Sequence, residues 1–168
     1  MQYQYLPVIL AVMLISPPLA AETVKTSIDV QAEISTSVRV YVEGKDVTNN
    51  AIALKLQDKA GYMYGVTPVF QFVGNASGVS LSLQAPASGG LVSENNDIMK
   101  INTAWIRVDG GEVSTSYPLN NQKVYPTLQD IDDPQKGVKV RFSSAQRSET
   151  YPLGSYSGTY EVIVTPSI

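Results

Sequence analysis

Carboxylates are the side chains of this sequence whose positions come closest to supporting chemistry, either by binding a divalent cation or by acid catalysis. A cation site could draw on four acids, Asp130, Asp132, Asp133 and Glu149. Residues 128–134 lack the spacing and the glycine of a calcium-binding loop, so we interpret these acids as solvated loop residues. Asp58 and Glu94 have no visible partner at the carboxyl separation that glycoside hydrolysis needs. We therefore predict no metal site and no catalytic pair.

Histidine and cysteine are both absent from the 168 residues. Without them the sequence cannot assemble a Ser-His-Asp triad, a Cys-His pair or most zinc sites, so we expect neither an enzyme nor a cofactor. The 12 Lys and Arg residues and 15 Asp and Glu residues give a net charge of −3 and form no basic cluster. Nucleic acid is not a predicted partner, because its phosphates require a basic surface.

The start of the chain has the organisation of an export signal. An unbroken apolar run covers residues 8–15, and small residues follow up to Ala20 and Ala21, after either of which a signal peptidase could cut. The run is too short to span a bilayer, which takes about 20 apolar residues. We predict a cleaved signal peptide over residues 1–21.

The rest of the chain has the pattern of β-strands. Apolar and polar residues alternate in short runs at residues 38–42, 79–83, 105–108, 138–142 and 160–164. Turn-forming residues such as Asp109-Gly110-Gly111 lie between the runs. Short strands with such punctuation predict an all-β sandwich of the immunoglobulin-like kind. Residues 52–59 are the one stretch with the pattern of a helical turn.

Residues 22–35, which we call the N-terminal segment, alternate most regularly. Their odd positions are polar throughout, and their even positions carry the apolar side chains Val24, Ile28, Val30, Ala32 and Ile34. Such a segment either pairs into the sheet of its own domain or completes the sheet of a neighbouring subunit by β-strand addition. In the second case main-chain hydrogen bonds hold the strand while alternate side chains fill pockets. The pattern alone leaves both possibilities open.

Three blocks of the sequence together resemble the pilin subunits of alpha-class, or class 5, fimbriae of Gram-negative bacteria, the colonisation factor antigen and coli surface antigen type. Residues 24–34 are similar to the family's donor segment of alternating Val, Ile and Ala. Residues 78–85, 99–105 and 110–115 resemble its central strands and their Gly-Gly turn, and residues 154–165 resemble its closing Gly-x-Tyr-x-Gly strand. The blocks follow the family's order over most of the chain after the signal peptide.

The resemblance implies an incomplete immunoglobulin-like β-sandwich over residues 36–168, completed by a donor strand from a neighbouring subunit. The N-terminal segment corresponds to the donor strand, and its inserted side chains correspond to Val24, Ile28, Val30, Ala32 and Ile34. The acceptor groove is expected beside the last strand, whose inward side chains are Tyr160, Val162 and Val164.

The function that the resemblance implies is structural. The chain is expected to polymerise head to tail into a surface fimbria of the chaperone-usher pathway and to support adhesion to host cells or surfaces. Its expected partners are neighbouring pilin subunits, a periplasmic chaperone, an outer-membrane usher and a possible tip adhesin, and its route leads through the periplasm to the cell surface. The alternative is a self-contained secreted β-sandwich that binds a glycan or protein ligand through its loops.

Overall fold

The computed structural model describes residues 24–32 and 37–167, so the predicted signal peptide and Ile34 lie outside the described residues. The chain divides into two compact units, Met1–Ile34 and Ser35–Ile168. Within the first unit, residues 24–32 form no strand and all their side chains are exposed. The predicted strand is therefore not formed in this stretch of the single chain.

The unit Ser35–Ile168 is built from β-strands, with two short 3-10 turns at Leu128–Asp130 and Ser148–Thr150 among its described residues. The strands are β1 Val38–Val42, β2 Lys45–Asp46, β3 Gln57–Lys59, β4 Tyr62–Val66, β5 Phe70–Gly74, β6 Gly78–Gln84, β7 Gly90–Ser93, β8 Ile98–Ile106, β9 Glu112–Ser114, β10 Leu119–Gln122, β11 Val124–Tyr125, β12 Lys139–Ser144, β13 Tyr156–Ser157 and β14 Glu161–Ser167.

The strands form three sheets. The first has the order β11-β5-β1-β2, the second β10-β6-β14, and the third β13-β7-β8-β12-β4-β3 with β9 added on β8. Among the described strands the one parallel pair is β11 with β5, and the other pairs are antiparallel. This arrangement confirms the predicted all-β fold.

One hydrophobic core lies between the sheets. In β12 the alternation of the sequence becomes an alternation of burial, so that Val140 and Phe142 face the core. Trp105 of β8 is fully buried, and β6 adds Val79 and Leu81. Because each sheet has one apolar face, stacking these faces removes them from water.

Two of the sequence predictions concern segments that form hairpins in the structure, and one of the two is confirmed. The Asp109-Gly110-Gly111 turn is confirmed between β8 and β9, where Gly110 adopts a φ of 88°, which is easy only for glycine. The helical turn over residues 52–59 is wrong, because Gln57–Lys59 pairs antiparallel with β4 and residues 51–56 form no regular element. Among the described residues no helix is long and apolar enough to cross a membrane.

Candidate functional site

β14 lies at the edge of its sheet. It pairs with β6 along its whole length, with Val162 opposite Leu83 and Val164 opposite Leu81, and its other edge has no partner strand among the described residues. An edge of this kind presents a row of backbone N–H and C=O groups that can pair with another chain. β14 is therefore a template for a further strand.

An apolar groove of about 680 Å³ borders the first residues of β14 and the stretch before it. Its lining includes residues 158–163 and residues 47–52, together with Leu54 and Leu56. Core side chains, among them Phe70 and Phe142, complete the lining. A sheet edge and an open part of the hydrophobic core thus meet in one place.

Tyr160 is the largest groove side chain contributed by the stretch that leads into β14. Its ring packs edge-on against Phe142, with 5.0 Å between the ring centroids. Its hydroxyl is buried without a hydrogen-bond partner among the described residues, and burial raises the pKa of Tyr160. The hydroxyl stays neutral at ordinary pH, so Tyr160 offers the groove an apolar surface rather than a charge.

The side chains of β14 alternate between the core and solvent. Val162 and Val164 are half-buried and pack against the core, while Glu161 is exposed and Ile163 is 44% exposed. Tyr160 and Val162 line the groove, whereas Val164 packs against the core beyond the groove lining. Their role as the acceptor strand stays a prediction.

Hydrogen bonds hold two of the groove-lining residues, Val40 and Thr48, in place. The Val40 N–H donates to Thr48 Oγ1 at 2.8 Å, and the Thr48 N–H donates to Asp46 Oδ1 at 2.9 Å. Arg39 also pairs with Asp46. The hydrogen bonds from Thr48 and Arg39 lower the pKa of Asp46 to about 2, so the carboxylate that holds this turn is ionised near neutral pH.

The apolar side chains of residues 24–32, the described part of the N-terminal segment, are exposed. Val24 is 86% exposed, Ile28 is 81% exposed and Val30 is 86% exposed. Ala32 is exposed as well. Soluble proteins rarely leave a continuous row of large apolar side chains in water unless another surface covers it.

Three of the four carboxylates considered for a cation site take part in local contacts, among them Asp133, which accepts from the Gln135 N–H at 3.0 Å. Asp130 accepts hydrogen bonds from the backbone N–H and hydroxyl of Thr127. Glu149 pairs with Arg147 at 2.9 Å, and the described residues contain no group of three acids or other ligands that could hold a metal ion.

The two acids considered for glycoside hydrolysis also hold loops. Asp58 accepts from the Ser148 hydroxyl at 2.6 Å and from the Gly61 N–H at 3.1 Å, and these bonds lower its pKa. Glu94 accepts from the Ser155 N–H at 3.1 Å. Each acid is thus accounted for by the loop that it stabilises.

Sequence reasoning missed the groove residues between β2 and β3. Ile52, Leu54 and Leu56 line the groove, and their spacing of two is a strand signal that the sequence already contained. The sequence analysis interpreted residues 52–59 as a helical turn instead. Only the hairpin that pairs β3 with β4 distinguishes a strand from a helical turn here.

No protein-family model matches this chain, and no curated protein matches it. Among solved structures, it is similar to a chain of the structure described as "Chaperone-tip adhesin complex is vital for synergistic activation of CFA/I fimbriae biogenesis". The two chains have a TM-score of 0.47 and 16% sequence identity, and the similarity covers 77% of this chain and 42% of that one.

Proposed function

We propose that this protein is a structural subunit of a bacterial surface fimbria that polymerises by donor-strand complementation. The observation that carries the proposal is the apolar groove beside the free edge of β14. In the polymer, the N-terminal segment of one copy enters the groove of the next copy. This is the assembly expected of the alpha-class pilins that the sequence resembles.

The chemistry of the two surfaces supports this pairing. The backbone edge of β14 supplies hydrogen bonds, and the groove takes apolar side chains from one face of the added strand. Burying a Val or Ile side chain contributes about 1.5 to 3 kcal/mol, so several such side chains offset the cost of ordering the segment. A head-to-tail contact of this type does not close on itself and therefore builds a filament.

The remaining partners follow from the same surfaces. A free strand edge beside an open apolar groove is an aggregation hazard, which calls for a periplasmic chaperone to cover the groove before assembly. An outer-membrane usher then exchanges the chaperone for the next subunit, and a tip adhesin can end the fibre. We place the assembled protein at the cell surface, where it supports adhesion and has no enzymatic role.

Replacing Ile28 by Asp tests the proposal. Ile28→Asp puts a charge on the inserted face, where burial without a partner is costly, and we expect it to abolish polymers of the purified chain. Ser27→Asp, on the polar face of the same segment, is the matched control and should polymerise like the unmodified protein. Size-exclusion chromatography with light scattering and electron microscopy measure the outcome.

Equal polymerisation of the two variants would remove the N-terminal segment from the assembly mechanism. The protein would then be better described as a self-contained β-sandwich, and its loops should be tested for a glycan or protein ligand.

A further inference from the structure

We propose that the outer side of the third sheet binds a sulfated glycosaminoglycan, a polysaccharide that carries negative charges along its whole length. This surface, which we call the basic face, is defined by the side chains of Lys59, Tyr62, Tyr64, Lys100, Lys139 and Arg141. The inference goes beyond the proposed function, because binding at this face requires neither the groove nor polymerisation.

The alternation of β12 separates the basic face from the core. Val140 and Phe142 are buried in the core, so Lys139 and Arg141 project from the other side of the sheet. Phe142 also lines the groove. The groove and the basic face therefore lie on opposite sides of β12, and a strand that fills the groove does not cover the basic face.

The strand register extends the basic face across neighbouring strands. Ser143 of β12 lies opposite Tyr64 of β4 on one side and Asn102 of β8 on the other. Lys59 of β3 lies opposite Tyr62 of β4. Residues directly opposite each other share a side of the sheet, as do residues two apart within one strand. The four strands thus present one continuous surface.

The basic face concentrates positive charge on a chain whose net charge is −3. Across strands β3, β4, β8, β9 and β12, the described residues on this side include four cations and one acid, Glu112, which pairs with Arg141 at 3.0 Å. Lys59, Lys100 and Lys139 form no ion pair with any described residue. Solvated faces ordinarily mix both signs, whereas a surface of one sign attracts a ligand of the other.

The spacing of these three lysines favours a ligand with many charges. Lys59 and Lys100 are three strand spacings apart in the order β3-β4-β12-β8, which is about 14 Å. Lys100 accepts the Ala145 N–H through its carbonyl, and Lys139 lies six residues before Ala145, about 20 Å along the strand. A ligand with a single carboxylate reaches one lysine, whereas a polysaccharide with charges along its length reaches all three.

Aromatic and neutral polar groups between the lysines fit a sugar. Tyr62 is 40% exposed, and its ring can pack on the C–H groups of a sugar while its hydroxyl forms hydrogen bonds. The Lys59 ammonium lies over the Tyr64 ring at 4.3 Å from the centroid, a cation–π contact that orders a flexible side chain. Asn102 and Ser143 supply an amide and a hydroxyl that can pair with sugar hydroxyls.

Binding of a heparin octasaccharide to the full chain tests the proposal by isothermal titration calorimetry. One variant combines three substitutions on the basic face, Lys59→Gln, Lys100→Gln and Lys139→Gln. A control with the same net charge combines three at exposed lysines elsewhere, Lys45→Gln, Lys123→Gln and Lys136→Gln.

We expect the basic-face variant to bind about tenfold or more weakly than the unmodified protein, since each exposed contact contributes modestly and three are lost. The control should bind within about twofold of the unmodified protein. Raising the salt from about 50 to about 200 mM should weaken binding by the unmodified protein about tenfold or more. Equal affinities of the two variants would overturn the site.

Two further ligands test the chemical class. Desulfated heparin and a sialylated trisaccharide should each bind about tenfold or more weakly than the heparin octasaccharide. Binding of either one as tightly as heparin would overturn the assignment to a sulfated polysaccharide.

Asn102→Ala distinguishes recognition of a sugar from a general attraction between charges. It should weaken heparin binding about threefold or more and leave the binding of inorganic polyphosphate unchanged, because polyphosphate has no sugar hydroxyls. An equal effect on both ligands would reject recognition of a sugar.

Light scattering of the same proteins separates this inference from the proposed function, and circular dichroism verifies that each variant is folded. We expect the basic-face variant to polymerise like the unmodified protein. Heparin binding without polymers in the unmodified protein would support the basic face and reject the proposed assembly. Polymers without heparin binding would overturn the basic face and leave the assembly intact.

Discussion

Asp46 shows how a single residue shapes the groove from outside it. Its carboxylate binds the Thr48 N–H and pairs with Arg39, and the Thr48 hydroxyl in turn accepts the N–H of Val40. Thr48 and Val40 both line the groove. An exposed charged residue thus sets the position of an apolar wall through one intervening side chain.

The lowered pKa of Asp46 predicts how this turn responds to acid. A carboxyl whose pKa is depressed to about 2 in the folded state stabilises the fold above its unfolded pKa near 4, and this contribution is lost as the pH falls from about 4 through about 2. Thr48→Val removes the hydroxyl contact, so the pKa of Asp46 should rise toward its ordinary value. A carboxyl carbon NMR titration measures the shift.

Thr127→Val is the control for this titration, because Thr127 makes the analogous contacts with Asp130 and does not contact Asp46. An unchanged Asp46 pKa in Thr48→Val would assign the depression to Arg39 and to the backbone N–H of residue 48, which the substitution leaves in place.

At the scale of elements, β6 joins the edge strand to the rest of the fold. It pairs with β10 on one side and β14 on the other, and Leu81 lies opposite both Leu119 and Val164. Leu81 is 1% exposed. A cavity at this point loosens the core beneath the strand that borders the groove.

Leu81→Ala should lower the free energy of unfolding by about 2 to 5 kcal/mol, the usual range for a buried leucine. Leu153→Ala is the matched control, because Leu153 is 96% exposed and its truncation should change stability by less than about 0.5 kcal/mol. Denaturant unfolding monitored by the fluorescence of Trp105, the single tryptophan, measures both. Similar losses in the two variants would contradict the core position of Leu81.

The sequence predicts a strand correctly where the alternating segment also has another strand of the same chain to pair with. β1, β6 and β12 alternate and lie where the alternation predicts them. The N-terminal segment alternates just as well, yet residues 24–32 form no strand. Alternation predicts that a strand will have one apolar face. To form, the strand also needs the edge of another strand to pair with, and the sequence does not show which chain supplies that edge.

Short polar strands escaped prediction for the opposite reason. β3 consists of three exposed residues, and it exists because the turn at Gly61 folds it onto β4. The groove was expected beside the last strand, but its other side, residues 47–56, depends on contacts between distant parts of the chain. Local patterns carry little information about such contacts.

At the scale of the whole molecule, residues 24–32 of the segment that we assign to the assembly belong to a different unit of the chain, Met1–Ile34, from the sandwich, Ser35–Ile168. An inserted strand needs no other part of its own subunit in order to fill a groove. The segment should therefore act equally well when it is attached elsewhere, provided that the linker lets it reach β14 in the correct direction.

Moving residues 22–34 to the C-terminus tests this independence and the direction together. If the segment pairs antiparallel to β14, it starts at the Ser167 end of that strand, so a flexible linker of about four residues is long enough. A parallel strand would start at the Gly158 end, about 30 Å away at the rise of an extended chain, beyond the roughly 14 Å that four extended residues can span. We expect the short-linker chain to be a soluble monomer that melts about 10 °C or more above the chain that lacks residues 22–34, because a net gain of a few kcal/mol shifts a domain of this size by that amount.

The comparison includes a third chain with a twelve-residue linker, and all three are measured by size-exclusion chromatography and thermal melting. Stabilisation by the long linker alone would indicate a parallel strand. A sandwich with a vacant strand position lacks both apolar burial and a row of hydrogen bonds until a strand fills that position, so filling it must raise the melting temperature. If the chain without the segment melts at the same temperature as both relocated forms, the sandwich therefore has no vacant strand position.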